Sequence, residues 1–549
     1  MAKRKRDLND AAQKAKAIKS RKNGDAPSSP KADLTTPTTT TAKHQEQSEK
    51  KQNETTTATT APNGTSSDPL TFQIITGSYE RVLHGFTATI PSTLITPSTQ
   101  DLSITELKNQ PKVDFTDTFL FNAHTSAIRC LALTPPSQES SKVLLATGST
   151  DERINIYSLS KTPPPLSKKN EPKLPTLHST SISENTKNKE MGSLLHHSST
   201  ITALHFPTRS KLLSASEDST IAITRTRDWE PLSTIKAPIP KAQGRPSGDT
   251  AAPGEVPAGI NAFAVHPSQK LMLSVGRGEK CMRLWNLVTG KKAGVLTFTR
   301  DLLASVGSTR FDSGEAKSVV WEPREGEEFA VAFDRGVVVF GIDCVPKLTI
   351  FPTPRTKVHK LQYLPLPRAS ESTPTILLIS TEDGRILLYN TSTSSSTTDS
   401  SKSSSSSSPE ILAQIAGPAA GITSRIKDFD ILPLPSTPNF LIITGSSDGT
   451  VRLWVLDTET LLSSSPPPST SSLPPSSTKG AEKKKPAGEK DGFTAPKQVG
   501  RLVGMYATET RVTCLRAFEM AAARSAADDD DDEEEGKGVE DDGSSSEDE

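Results

Sequence analysis

The sequence predicts an all-β chain folded as a ring of seven four-stranded sheets, a β-propeller. Three observations predict it. One strand–turn–strand unit recurs along the chain, alternating strands flank most of its copies, and the two ends each hold part of one further unit. The plainest copy is 441–456, LIITGSSDGTVRLWVL. It reads as a strand, a tight turn at Ser447-Asp448-Gly449, and a second strand alternating toward Trp454. Its acidic turn residue and closing aromatic stand six positions apart. That spacing recurs at Glu80→Phe86, Asp151→Tyr157, Glu279→Trp285, Asp334→Phe340 and Asp383→Tyr389. A further copy, Asp218→Thr224, keeps the acid and loses the aromatic.

The flanks complete the unit. Alternating strands precede several copies: AIRCLAL, TITALHF, INAFAVH, KSVVWEP, VHKLQYL and RIKDFDI. Short apolar runs follow most of them, among them GSLLHH, LSTIK, AGVLTF, KLTIF, ILAQIA and RLVGMY. Four antiparallel strands per unit make a propeller blade. At the start, 72–86 supplies middle strands with no first strand before them, and at the end RVTCLRAF, 511–518, is a first strand with nothing after it. Joined, they form one blade from both termini and remove two exposed sheet edges.

Composition divides the chain. Hydrophobic residues make up 33%, with 42 prolines, against about 45–50% apolar in ordinary globular chains. Residues 391–408 and 461–485 are almost wholly Ser, Thr, Pro and Lys, too polar to offset the entropy of ordering. The expected organisation is a disordered basic tail at 1–70, a propeller at 71–520 and a disordered acidic tail at 521–549. Insertions are expected at about 91–113, 158–190, 391–409 and 457–497. Net charge is zero, yet residues 1–25 hold nine Lys/Arg against three Asp, and 528–549 holds fourteen acidic residues against one Lys. Such blocks read as interaction tails. Lys3, Arg4, Lys5 and Arg6, with Lys19, Arg21 and Lys22, also fit a nuclear import signal, the alternative being a tail that only aids solubility. No apolar run approaches the roughly 18 residues a membrane span needs. The four separated cysteines lack a CxxC pair, which argues against a zinc site or disulfide framework and for a reducing, intracellular setting.

The recurring polar positions read as structural. Thr147, Asp151 and Tyr157 align with His124, and Ser214 and Asp218 with His197, each His four residues before the first Ile of a strand. Thr444, Asp448 and Trp454 repeat the pattern without an obvious His. Buried donors left unpaired cost about 1–3 kcal/mol, so these groups are expected to satisfy one another. His, Ser and Asp also compose a hydrolytic triad, but a nucleophile needs one exposed, strained position rather than copies repeated under successive turns. No P-loop, HExxH or GxSxG motif occurs. The chain reads as non-enzymatic, with no cofactor or metal.

All four insertions are placed between third and fourth strands, on one face of the ring. The opposite face, made by the tight turns and the fourth-to-first-strand loops, is expected to be comparatively bare. Arg81, Arg153, Arg277, Arg335 and Arg385 stand in its turns. They read either as a rim for RNA phosphate or an acidic partner, or as ordinary solvated turn residues.

IITGSYERVLHGF near the start resembles the opening of the WD-repeat proteins of the p21-activated kinase-interacting and maintenance-of-killer type. FNAHTSAIRCLAL with ATGSTDERINIYSL, LHHSSTITALHF with LLSASEDSTIAI, AVHPSQKLMLSVG with MRLWNLVTG, ITGSSDGTVRLW and RVTCLRAF match in the same order. The resemblance covers roughly 72–520 without the insertions. It implies a WD40 propeller serving as a nucleolar scaffold for large (60S) ribosomal subunit assembly and rRNA processing, docked on pre-ribosomal proteins or pre-rRNA as one copy within a larger particle. The alternative it implies is an adaptor that binds and restrains a p21-activated protein kinase. Family members tend to end in a Lys-rich tail, whereas this chain ends acidic and carries its basic cluster at the front.

Overall fold

The computed structural model describes residues 69–521 apart from 96–111, 138–139, 164–182, 240–257, 310–311, 368–372, 393–408, 410, 436 and 463–495. Seven four-stranded antiparallel sheets account for every strand among the described residues. In chain order the contiguous blades are 128–194, 201–236, 260–297, 318–350, 358–416 and 426–507, here blades 1 to 6. The first strands touch one another in a complete circuit, so they form the inner wall of a closed ring. Each of the seven apolar clusters joins two neighbouring blades. The core is therefore distributed between the blades, as both faces of every middle strand demand: Phe440–Ser446 and Ile376–Thr381 are buried at every position.

Blade 7 draws on both ends of the chain. Its inner strand is Val512–Glu519, followed outward by Leu70–Ser78, Val82–Ile90 and Asp114–Asn122. Ile74 pairs with Ala517 and Phe72 with Glu519. The Asp428 Oδ2 of blade 6 accepts from Leu515 N at 2.9 Å, and Asp430 Oδ2 accepts from Ala517 N at 3.0 Å. Asp428 also pairs with Arg516 at 3.2 Å and with Lys360 of blade 5. Two carboxylates thus occupy donors that the closing strand would otherwise leave bare on its inner edge.

The tight turns follow their chemistry. Gly449 adopts a φ of +82°, and a Cβ there would come within 2.7 Å of Thr510 O, so the Asp-Gly turn of blade 6 requires glycine.

The structure corrects several boundaries. The third strand of blade 1 runs to Ser160 and the fourth is Lys189–Leu194, so both ends of the 158–190 stretch belong to strands. The outer strand Lys189–Leu194 is exposed at five of its six positions, so it carries little apolar signal and GSLLHH is read too late. The stretch 457–497 begins with a short helix, Thr458–Leu462, that buries Leu461. The face opposite these insertions is not bare. The connections 237–259 and 298–317 both run from a fourth to a first strand, and the second contains the helix Arg300–Ser305. Thr299 caps that helix, accepting from Leu302 N at 3.3 Å, and Leu303 packs into the cluster between blades 3 and 4. The expected tails at 1–70 and 521–549 lie almost wholly outside the described residues, as do the insertion cores.

Candidate functional site

In blade 1, His124 Nε2 lies 2.7 Å from Thr147 Oγ1, and its Nδ1 lies 3.1 Å from Asp151 Oδ2. Thr147 is fully buried. Burial pushes the His124 pKa below its ordinary value, opposed by the Asp151 carboxylate. The neutral ring therefore donates from Nδ1 to the carboxylate and accepts at Nε2 from the threonine hydroxyl. Burial pushes Asp151 up, but hydrogen bonds from Thr125 and Arg153 N–H groups and the His124 ring more than offset this and hold it below its ordinary value. Tyr157 is not brought into the chain. It packs edge-on against Phe121, ring centroids 5.7 Å apart.

Blade 2 repeats the arrangement: His197 Nε2 is 2.8 Å from Ser214 Oγ and its Nδ1 is 3.1 Å from Asp218 Oδ2. In blade 6, Trp454 Nε1 donates to Thr444 Oγ1 at 3.3 Å, while Asp448 accepts from its own turn at Thr450 N. Blade 3 has the same indole contact, Trp285 Nε1 to Ser274 Oγ at 2.8 Å, and its Glu279 pairs with Arg283. Blade 7 holds a chain that spacing does not reveal. His84 Nε2 lies 2.8 Å from Asp117 Oδ1, which also accepts from Tyr506 Oη of blade 6 at 2.5 Å. The hydroxyls of Thr147 and Ser214 are fully buried under their turns and brace those turns.

The five turn arginines do not form one rim. Arg81 and Arg153 are exposed, Arg81 with a positive φ of 73°. Arg335 is exposed beside its own Asp334. Arg277 is paired with Glu217 of blade 2 at 2.9 Å. Arg385 is 5% exposed, bound to Asp383, and donates to Thr353 O at 2.9 Å. The expectation of a solvated turn fails there because Arg385 already begins a strand, Arg385–Asn390, and its guanidinium ties blade 5 to the loop before it. Lys3, Arg4, Lys5, Arg6, Lys19, Arg21 and Lys22 lie outside the described residues.

The inner wall contains a further set that the turn spacing passes over. Near the start of the inner strand, six blades bulge by one residue. The bulges centre on Arg129, Thr202, Asn261, the His359-Lys360 pair, Lys427 and Thr513 in blades 1, 2, 3, 5, 6 and 7. A bulge re-aims a side chain out of the strand's alternation. The available signal is the residue directly after the first buried apolar position of those six inner strands, which alternation alone treats as an ordinary outward residue.

Among the described residues no group of three or more His, Cys, Asp or Glu is placed to hold a metal ion. A cleft of about 250 Å³ between blades 7 and 1 is lined by Leu83, Phe119, Phe121, Tyr157 and Asn185, among others. No helix among the described residues is long and apolar enough to cross a membrane.

Comparison with known proteins agrees with this architecture. The family described as "WD domain, G-beta repeat" matches at 115–158, 188–224 and 422–455. The chain is 25% identical to the p21-activated protein kinase-interacting protein 1-like of Xenopus laevis, over 63% of this chain and 69% of that one. It is 27% identical to Protein MAK11 of Saccharomyces cerevisiae, over 71% and 80%. It is 25% identical to the Shk1 kinase-binding protein 15 of Schizosaccharomyces pombe, over 33% and 42%. Propellers of this kind are non-catalytic, scaffold-type proteins. Seven blades, the repeated turn chemistry and these relatives together support the likeness to the WD-repeat proteins of the p21-activated kinase-interacting and MAK11 type.

Proposed function

We propose that this propeller is a docking platform for large ribosomal subunit assembly in the nucleolus, held on pre-ribosomal proteins or pre-rRNA. The observation that carries the reading is the ordered series of family motifs from IITGSYERVLHGF to RVTCLRAF, because the resemblance brings ribosome assembly with it. The oppositely charged ends of the sequence suit a crowded RNA–protein particle. Depleting the protein should lower large subunits relative to small ones and stall precursors of the large-subunit RNA. Normal subunit balance after depletion rejects the role. Nuclear import rests on the two basic clusters. Replacing Lys3, Arg4, Lys5, Arg6, Lys19, Arg21 and Lys22 with Ala should cut nuclear enrichment, and unchanged enrichment removes that part.

A second reading, an adaptor that restrains a p21-activated kinase, is favoured by the names of the relatives themselves: kinase-interacting in Xenopus laevis and kinase-binding in Schizosaccharomyces pombe. Sedimentation separates the two. Co-migration with pre-ribosomes supports assembly, whereas stoichiometric kinase binding away from ribosomal particles supports the adaptor.

A further inference from the structure

The ring of bulged residues at the channel mouth is divided in its chemistry. Its neutral members are satisfied by backbone carbonyls. Thr202 Oγ1 donates to Ala215 O at 3.2 Å, Asn261 Nδ2 to Ala316 O at 2.9 Å, and Thr513 Oγ1 to Ile128 O at 2.6 Å. These three brace the inner wall. Arg129 and Lys427 make no hydrogen bond or ion pair among the described residues, and the buried Nε2 of His359 has no partner. Cations deeper in the same strands are treated differently, since Lys360 and Arg516 both rest on Asp428.

The unpaired groups are gathered on neighbouring blades: Arg129 and Lys427 carry charge, while His359, pushed down to about 4 by burial and the Lys427 charge, is neutral and offers a hydrogen bond. His359, Lys427 and Arg129 belong to blades 5, 6 and 1, with only Thr513 of blade 7 between the last two. Lys357, Arg425 and Arg511 immediately precede those inner strands or that of blade 7 and enlarge the group. The acids beside them are Glu382, already 3.7 Å from Arg425, and Glu80, whose Oε2 accepts from Arg511 N at 2.9 Å. Burial lowers the Lys427 pKa, Arg425, Arg511 and Arg129 lower it further, and Glu382 opposes them without reversing the shift. The two long connections of this face, 237–259 and 298–317, join blade 2 to blade 3 and blade 3 to blade 4. The cationic half of the mouth is left with short loops.

We infer that this half-ring, centred on Arg129, His359 and Lys427, receives the carboxylates of an extended acidic segment of a partner protein. The inference rests on the docking-platform reading but not on which particle the platform serves. A peptide is favoured over RNA because Lys427 and His359 are half-buried inside the inner wall. A Glu or Asp side chain can reach them there, whereas a sugar-phosphate backbone is held back by its own bulk. A partner in trans is favoured over this chain's own acidic end because Val512–Glu519 begins at the mouth and ends at the opposite face.

The test is fluorescence anisotropy with purified full-length protein and a labelled synthetic peptide of alternating Glu and Ser. A Gln-for-Glu peptide and an oligouridylate serve as competitors. The double variant Arg129→Gln with Lys427→Gln should weaken binding at least about tenfold at low salt, where solvated charge contacts are least screened. Thr202→Val, at a neutral place in the same ring, should bind as the wild type does. A photo-crosslinker on the peptide should react on the wild-type protein near the inner-strand starts of blades 5, 6 and 1, a readout that needs no variant to fold. Equal affinity in a folded double variant, crosslinks elsewhere, or oligouridylate outcompeting the Glu peptide would each overturn the inference. Because the binding is measured without ribosomes, its failure and a failure of the assembly role are seen in different experiments.

Discussion

Blade 2 and blade 7 are closed by different means. Blade 2 is one short run of chain, and His197, Ser214 and Asp218 fasten its turn with bonds that never leave that run. Blade 7 joins residues near the two ends of the sequence. It is fastened from outside, by Asp428 and Asp430 on the closing strand and by Tyr506 on Asp117. The first kind of fastening depends on local spacing. The second depends on the ring being complete, so its loss should spread further.

Truncation should expose this difference most strongly. A chain ending at 510 lacks the whole inner strand of blade 7 and strips the partner from Leu70–Ser78. It should lose its cooperative melting transition, while a chain ending at 527 should melt as the full protein does. Scanning calorimetry of the two proteins separates these outcomes.

Replacing Asp428 with Ala comes next. It leaves Lys360, Arg516 and the Leu515 N–H without their shared acceptor, and removing one partner of a buried charge cluster costs about 3–5 kcal/mol. Urea unfolding should show a loss of about that size. Asp218→Asn in blade 2 weakens one local fastening and should cost about 1–2 kcal/mol.

Acid acts on the local fastenings in a defined direction. The His124 pKa lies below its ordinary 6.5 in the folded chain. The Asp218 pKa lies well below its ordinary 3.8, because hydrogen bonds from His197 and Thr220 outweigh the effect of burial. In both cases the unfolded chain takes up a proton before the folded chain does, so stability falls as pH falls. The His124 part is lost below about pH 6.5 and the Asp218 part below about pH 4, through the range down to its folded pKa. Melting temperature measured from pH 7.5 to pH 4 should decline accordingly, and a flat profile would contradict the assignment. The smallest effect belongs to the insertions. Deleting 393–408 should shift stability by about 1 kcal/mol or less, since loop-closure entropy changes slowly with length.

These differences track what the sequence made legible. The acid-to-aromatic spacing locates six blades, its acid alone locates blade 2, and the two half-units at the ends locate the split one. The His124 and His197 chains followed from the same local spacing. The His84–Asp117–Tyr506 chain did not, because Asp117 lies beyond an insertion and Tyr506 belongs to another blade. The outer strand Lys189–Leu194 was read late because exposure gives it no apolar pattern. Arg385 reads in sequence as a turn residue, for a rim or for solvent, because a turn and the first residue of the following strand look alike there. The cations of the channel mouth were passed over because a bulge breaks the two-residue alternation by which strand faces are read.

Native-state hydrogen exchange on Asp428→Ala tests most directly whether blade 7 is held from outside while blade 2 holds itself. The account predicts lost protection in Val512–Glu519 and Leu70–Ser78, with the strands of blade 2, Lys211–Ser216 and Thr220–Arg225, retaining theirs. Equal loss in both blades, or full protection of the closing strand in the variant, would contradict it.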